Sequence, residues 1–194
     1  MKKNFLAVFI ILAFSLVSCK KTEHSSEISA NSPPESSSQI QSPSSAVSDK
    51  KEPVKEYVKN ANYFSLPSAD GGKIDLKDYS GRPVLVMFFT ENCPYCRKAA
   101  PYMEKMHKKY SGKGLAVIGI SLKDSSEGAR RFASDLKLTF PLAYKGSEIG
   151  KNYHVQGVPF IYLLDKNHNN YDTWMGYDES YNGDIDVTIE QVLK

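Results

Sequence analysis

Cys93-Pro94-Tyr95-Cys96 lies between two stretches of different character. Before it, residues 84–89 read Val-Leu-Val-Met-Phe-Phe, an unbroken apolar run that predicts a fully buried strand. After it, a helical pattern runs to about residue 110. Pro94 suits the first turn of that helix, because its missing N–H would have no partner there anyway. Cys93 is therefore expected where a strand hands over to a helix, at the helix N-terminus. Free N–H groups and the helix dipole favour an anion at that point, here a thiolate. Cys96 follows one turn along, within disulfide reach of Cys93. The chain must fold so that a buried strand, a polar turn (Thr90, Glu91, Asn92) and a helix meet at a dithiol.

Other uses of a CxxC pair fit less well. A zinc site needs about four ligands, and the chain has no second CxxC and no nearby CxxH. Haem attachment needs His after the second Cys, where Arg97 stands. A structural disulfide between neighbours this close constrains little chain. Redox exchange is the reading that remains, with no cofactor and no metal.

The chain has 194 residues, a net charge of +3 and three cysteines. Its Lys and Arg are scattered among Asp and Glu and form no basic stripe, so nucleic acid is not expected as a partner. Residues 1–18 read as a secretory signal: Lys2 and Lys3, then an apolar stretch from Phe5 to Val17 that is short for a transmembrane helix. They end Leu16-Val17-Ser18 before Cys19, which resembles the bacterial lipobox and implies a lipid-anchored mature N-terminus at Cys19. Residues 19–55 are rich in Ser and Pro and poor in large apolar groups, so they are expected to form a flexible tether to a membrane surface. Such a coil spans roughly 30–36 Å. Residues 56–194 form the folded domain. A hairpin is expected over residues 63–76 around Asp70-Gly71-Gly72, and a helix over residues 94–110 with a kink at Pro101. A strand follows over 115–121, a helix capped at Asp124 or Ser125, a short strand over 139–144, a helical turn over 147–153, strands over 160–164 and 171–175, and a C-terminal helix over 184–194. Strands alternating with helices imply an α/β sheet with helices on both faces.

The order of these parts resembles the thioredoxin fold, and within it the TlpA/ResA-like branch of membrane-tethered thiol-disulfide oxidoreductases. The resemblance spans about residues 60–194. It rests on Gly-Arg-Pro-Val-Leu-Val-Met-Phe-Phe at 81–89, the CPYC motif, Pro101-Tyr102-Met103, and Ile149-Gly150-Lys151-Asn152-Tyr153-His154-Val155-Gln156-Gly157-Val158-Pro159-Phe160 before Leu163-Leu164-Asp165-Lys166-Asn167. It implies a mixed central sheet with helices on both faces and an N-terminal β-hairpin. It implies Cys93 and Cys96 as the catalytic pair, and Pro94, Tyr95, Val158 and a cis Pro159 as the surface that meets substrate. It further implies a reductant of disulfides in proteins outside the cytoplasm, apocytochrome c among them, with re-reduction by a membrane donor of the DsbD/CcdA type. Three positions depart from the pattern: Asn92 replaces tryptophan, Met87 a buried aspartate and Ala99 a glutamate. Glu91 is the nearest acidic residue, expected as a solvated turn residue.

The other side chains add little. His24, His107, His154 and His168 are assigned no catalytic role, and Trp174 and the tyrosines are expected to pack the core and hairpin. Two competing functions remain. One is a peroxiredoxin-like thiol peroxidase, favoured by Thr90 three residues before Cys93 and opposed by Val86, where that family has proline. The other is a non-catalytic lipoprotein that senses redox state. Cys19 is expected to carry lipid and to stay out of the redox chemistry. Mass spectrometry of the mature N-terminus checks this: an unmodified Cys19, or cleavage elsewhere, refutes it.

Overall fold

The computed structural model describes residues 56–194. The signal segment, the tether and Cys19 lie outside the described residues.

The expected hairpin is present: β1 (Ser65–Pro67) pairs antiparallel with β2 (Lys73–Asp75). Five further strands form one sheet: β3 (Val84–Phe89), β4 (Ala116–Ser121), β5 (Leu142–Ala143), β6 (Phe160–Leu164) and β7 (Asn170–Met175). Their order is β5-β4-β3-β6-β7. β3 runs parallel to β4 and antiparallel to β6, so the sheet is mixed as expected. Four helices complete the domain: α1 (Pro94–Tyr110), α2 (Ser126–Leu136), α3 (Ser147–Asn152) and α4 (Tyr181–Val192).

β3 occupies the middle of the sheet because it can. All six of its residues are fully buried. Leu85, Met87 and Phe89 enter one core, and Val84, Val86 and Phe88 enter the other. A central strand covered on both faces reads as a continuous apolar run. The two faces are covered unequally. Ala100 and Met103 of α1, Phe132 of α2 and Ile189 of α4 share the first core. The hairpin residues Leu66 and Ile74, with Ile149 of α3 and the adjoining Tyr153, cover the second. The steps β3→β4→β5 move one way across the sheet through parallel strands, and right-handed crossovers place α1 and α2 on the same face. α3 belongs to the return path from β5 to β6 and covers the opposite face.

Local signals set most boundaries. Ser125 caps α2, its hydroxyl accepting the Gly128 N–H. Gly114 closes the chain after α1 with φ of 103°, a left-handed conformation that favours glycine. α1 runs unbroken through Pro101. The strand expected over residues 139–144 shrinks to Leu142–Ala143, because Thr139 is drawn to α1 instead. Its N–H and hydroxyl both donate to the buried Glu104 carboxylate, at 2.8 and 2.7 Å. α4 starts three residues earlier than expected, at Tyr181, and Trp174 Nε1 donates to Asp184 inside it at 2.7 Å.

His168, assigned no catalytic role from the sequence, has a structural place in the fold. Its side chain is fully buried. Its Nε2 faces the Tyr79 carbonyl at 3.1 Å and Nδ1 faces the Tyr57 hydroxyl at 2.9 Å. A carbonyl only accepts, so Nε2 carries the proton and Nδ1 of the neutral ring accepts from Tyr57. Burial pushes the His168 pKa down, and its bonds to the backbone offset this in part. The unfolded chain, with a pKa near about 6.5, therefore takes up a proton that the folded chain refuses. Stability is complete above that value and falls as pH drops from it toward the folded pKa. Urea midpoints should decrease between neutral pH and about pH 5.5, and His168→Asn should flatten the decrease while lowering the midpoint at neutral pH. Equal pH dependence in the variant would show that His168 does not contribute.

Candidate active site

The end of β3 delivers the dithiol. Thr90, Glu91, Asn92 and Cys93 form a tight turn closed by the Cys93 N–H on the Thr90 carbonyl at 3.2 Å. Cys93 is the N-cap of α1 with extended φ and ψ of −74° and 116°. Its sulfur takes the place that a serine or aspartate oxygen usually fills, accepting the Cys96 N–H at 3.2 Å. Pro94 opens the helix, where its missing N–H costs nothing. The same Cys93 thiol donates to the Val158 carbonyl at 3.5 Å. The Val158–Pro159 peptide is cis. Gly176 N–H donates to the Pro159 carbonyl at 2.9 Å, tying this loop to the end of β7.

The two sulfurs differ in environment. Both are free thiols. Cys93 is half-buried and Cys96 fully buried. Cys96 packs in the core formed by Phe89, Ala99, Ala100, Met103 and Phe132. Burial pushes the Cys96 thiol pKa strongly up, and its hydrogen bond and charge interaction with Cys93 push it further. Tyr95 is 59% exposed beside the pair, with the Lys98 ammonium 5.5 Å from its ring centre. The structure thus brings together Cys93, Cys96, Pro94, Tyr95, Val158 and Pro159, all of the site residues expected from the sequence within the described residues.

The supporting polar groups are arranged differently from the expectation. Met87 and Ala99 are fully buried apolar residues, so neither position supplies a carboxylate. Glu91 is a partly exposed turn residue whose carboxylate is nonetheless held: it accepts the Ser121 hydroxyl at 2.6 Å, and Ser121 is fully buried. Arg97 turns away from the sulfurs. It donates to Asp135 on α2 at 3.0 Å and to the Glu91 carbonyl at 3.5 Å. No periodicity in the sequence joins Glu91 to Ser121 or Arg97 to Asp135, because each pair meets only through the sheet and the helix packing. His107 faces Phe140 and His154 is exposed. Among the described residues, no group of three His, Cys, Asp or Glu side chains could hold a metal ion.

An accessible sulfur at a helix N-terminus, with a buried sulfur one turn behind it, can exchange disulfides in two steps. The first sulfur attacks from solvent, and the second resolves from inside.

Comparison with known proteins agrees with this chemistry. Residues 58–170 match the AhpC/TSA family. The chain is similar to the thiol-disulfide oxidoreductase ResA of Bacillus thuringiensis subsp. konkukian, at 36% identity over 117 residues, 60% of this chain and 68% of that protein. It is also similar to the thioredoxin-like protein YneN of Bacillus subtilis, at 38% identity over 106 residues, 53% of this chain and 62% of that one. Among solved structures, a Chlorobium tepidum protein assigned as the thiol:disulfide interchange protein DsbE superposes with a TM-score of 0.66 at 26% identity, covering 72% of this chain and 99% of that chain.

The burial difference predicts the order of thiol reactivity. In the reduced folded protein, a thiol-alkylating reagent should modify Cys93 first, and Cys96 only after unfolding. Peptide mapping reads the order, and equal reaction of both cysteines would overturn it.

Proposed function

We propose, from the premise that the chain belongs to the AhpC/TSA family and is a thioredoxin-fold thiol-disulfide oxidoreductase of the TlpA/ResA-like branch, that it reduces disulfides in proteins outside the cytoplasm through Cys93 and Cys96. The observation that carries this is the contrast between the half-buried Cys93 sulfur at the start of α1 and the fully buried Cys96 sulfur behind it.

The reaction runs through a mixed disulfide. Cys93 thiolate attacks one sulfur of the partner's disulfide, and the partner's other sulfur leaves as a thiolate and takes a proton from water. Cys96 is held protonated by burial and by its neighbour until this point. Once Cys93 is in a disulfide, its charge no longer opposes ionisation of Cys96. Cys96 then loses its proton and attacks the Cys93 sulfur, and the partner's second sulfur leaves. The partner gains two electrons and two protons, and Cys93 and Cys96 become a disulfide. In this reading the Val158 backbone, in the bend before β6 and beside the nucleophile, pairs with an extended partner segment. Tyr95 and Pro94 present exposed surface to the same segment.

A protein acting this way needs a supply of electrons. By family resemblance the donor is a membrane thiol reductant of the DsbD/CcdA type, and apocytochrome c is among the partners. In this reading a lipid on Cys19 and the tether over residues 19–55 anchor the domain to a bacterial membrane, facing the periplasm or the exterior. No described helix is long and apolar enough to cross one. Peroxide turnover is the reaction of the competing thiol peroxidase, and the pure protein should show none above the rate of a free thiol.

Direction follows from the reduction potential. A redox titration of the Cys93–Cys96 pair should give a value near that of thioredoxin, about −270 mV, whereas one near DsbA's, about −120 mV, would sink the reductant role. Cys96→Ser should then trap partners on Cys93 as mixed disulfides, and Cys93→Ser should trap none.

A further inference from the structure

Glu91 is the second residue of the turn that hands β3 over to α1, and contacts from three other elements hold it. Ser121, fully buried at the end of β4 and in register with Phe89, donates its hydroxyl to the Glu91 carboxylate at 2.6 Å. The Ser121 oxygen accepts the Lys123 N–H at 3.0 Å, which leaves its proton for Glu91. Arg97 on α1 donates to the Glu91 carbonyl at 3.5 Å while its other nitrogen is held by Asp135 on α2. The Glu91 side chain also lies over Gly128 in the first turn of α2, where an added Cβ would come within 3.3 Å of it. Side chain, carbonyl and flank are thus fixed to three different elements. The Cys93 N–H on the Thr90 carbonyl closes the turn that Glu91 occupies.

The carboxylate points at Ser121 and α2, and its hydrogen bond is to Ser121, not to either sulfur. A role as proton acceptor for the thiols therefore has no support, and a role through geometry does. We infer that Glu91 is a positioning residue of the exchange reaction: bonded to Ser121, it holds the Thr90–Cys93 turn so that a mixed disulfide on Cys93 stays aligned for attack by Cys96. This rests on the roles proposed above for the two cysteines. In the step concerned, the Cys96 sulfur bonds to the Cys93 sulfur, the bond from Cys93 to the partner breaks, and the partner leaves as a thiolate carrying the electron pair. An intramolecular attack depends steeply on alignment. The first attack depends less on it, because a diffusing partner adjusts its own approach.

The test uses the reduced full chain carrying Cys19→Ser, mixed rapidly with excess dithiobis(nitrobenzoate), a coloured aromatic disulfide. Each exchange releases one coloured thiolate, so attack by Cys93 and resolution by Cys96 appear as two phases. Glu91→Ala and Ser121→Ala should each slow the second phase about tenfold and leave the first within about twofold. Glu91→Gln keeps an acceptor for Ser121 and should restore the second phase to within about threefold of the parent chain. Ser121→Ala serves should Glu91→Ala fail to fold, and melting curves check both. The inference is overturned if the alanine variants resolve as fast as the parent, if both phases slow by the same factor, or if Glu91→Gln is as slow as Glu91→Ala. A parent chain that releases no second thiolate would instead overturn the exchange reading itself.

Discussion

The reactive end of this domain depends on β3 being buried on both faces and hydrogen-bonded on both edges. Its six residues have no exposed surface. Burying each such side chain contributes roughly 1.5–3 kcal/mol, so the strand has no freedom to slide or tilt. Whatever follows its last residue inherits that fixity. The register then decides what meets there. Phe89 lies opposite Ser121 on β4, and Phe88 lies opposite Phe160 on β6. Because β6 is antiparallel to β3, the start of one strand adjoins the end of the other. Val158 thus comes to rest at Cys93, 65 residues away in sequence.

The helix creates an asymmetry between the two sulfurs, and the proposed exchange draws on it. One helical turn separates the two sulfurs, and one turn is enough to carry the chain from the N-cap into the core. Ala99 and Ala100 keep α1 close to the sheet, and Cys96 enters the same layer as Met103 and Phe89. The half-buried sulfur receives an N–H from the helix end. The buried one sits where ionisation is costly until its neighbour becomes a disulfide. Two identical side chains so acquire different surroundings, and the tasks proposed for them follow from that difference.

α2 and the polar contacts around it brace the turn. Its first turn takes a glycine where Glu91 lies, and its last turn supplies Asp135 to Arg97. The exposed Arg97–Asp135 pair contributes little by itself, since such pairs are worth about 0–1 kcal/mol. The Ser121–Glu91 bond is shorter and anchored on a buried group, and it is the stronger of the two. The carboxylates that family resemblance would place at positions 87 and 99 are absent, and the acidic group that is present has a different partner.

Several features were legible in the sequence because they are local. The buried run at 84–89, Pro94 at the first helical position and the Ser125 cap each act within one turn of chain, and each element formed where it was expected. The cis bond at Pro159 was legible through family resemblance, not from the residues alone. The folded structure decided what depends on distant partners. Thr139 left its strand for Glu104, His168 became buried between Tyr57 and Tyr79, and the Glu91 carboxylate was bonded by Ser121. Each of these is a hydrogen bond between residues 30 or more apart in sequence. No period in a sequence encodes such a bond, because it forms only after the sheet has set the order of its strands. The contrast between Cys93 and Cys96 draws on both sources: their spacing is written in the chain, and their difference in burial comes from the packing of α1 on the sheet.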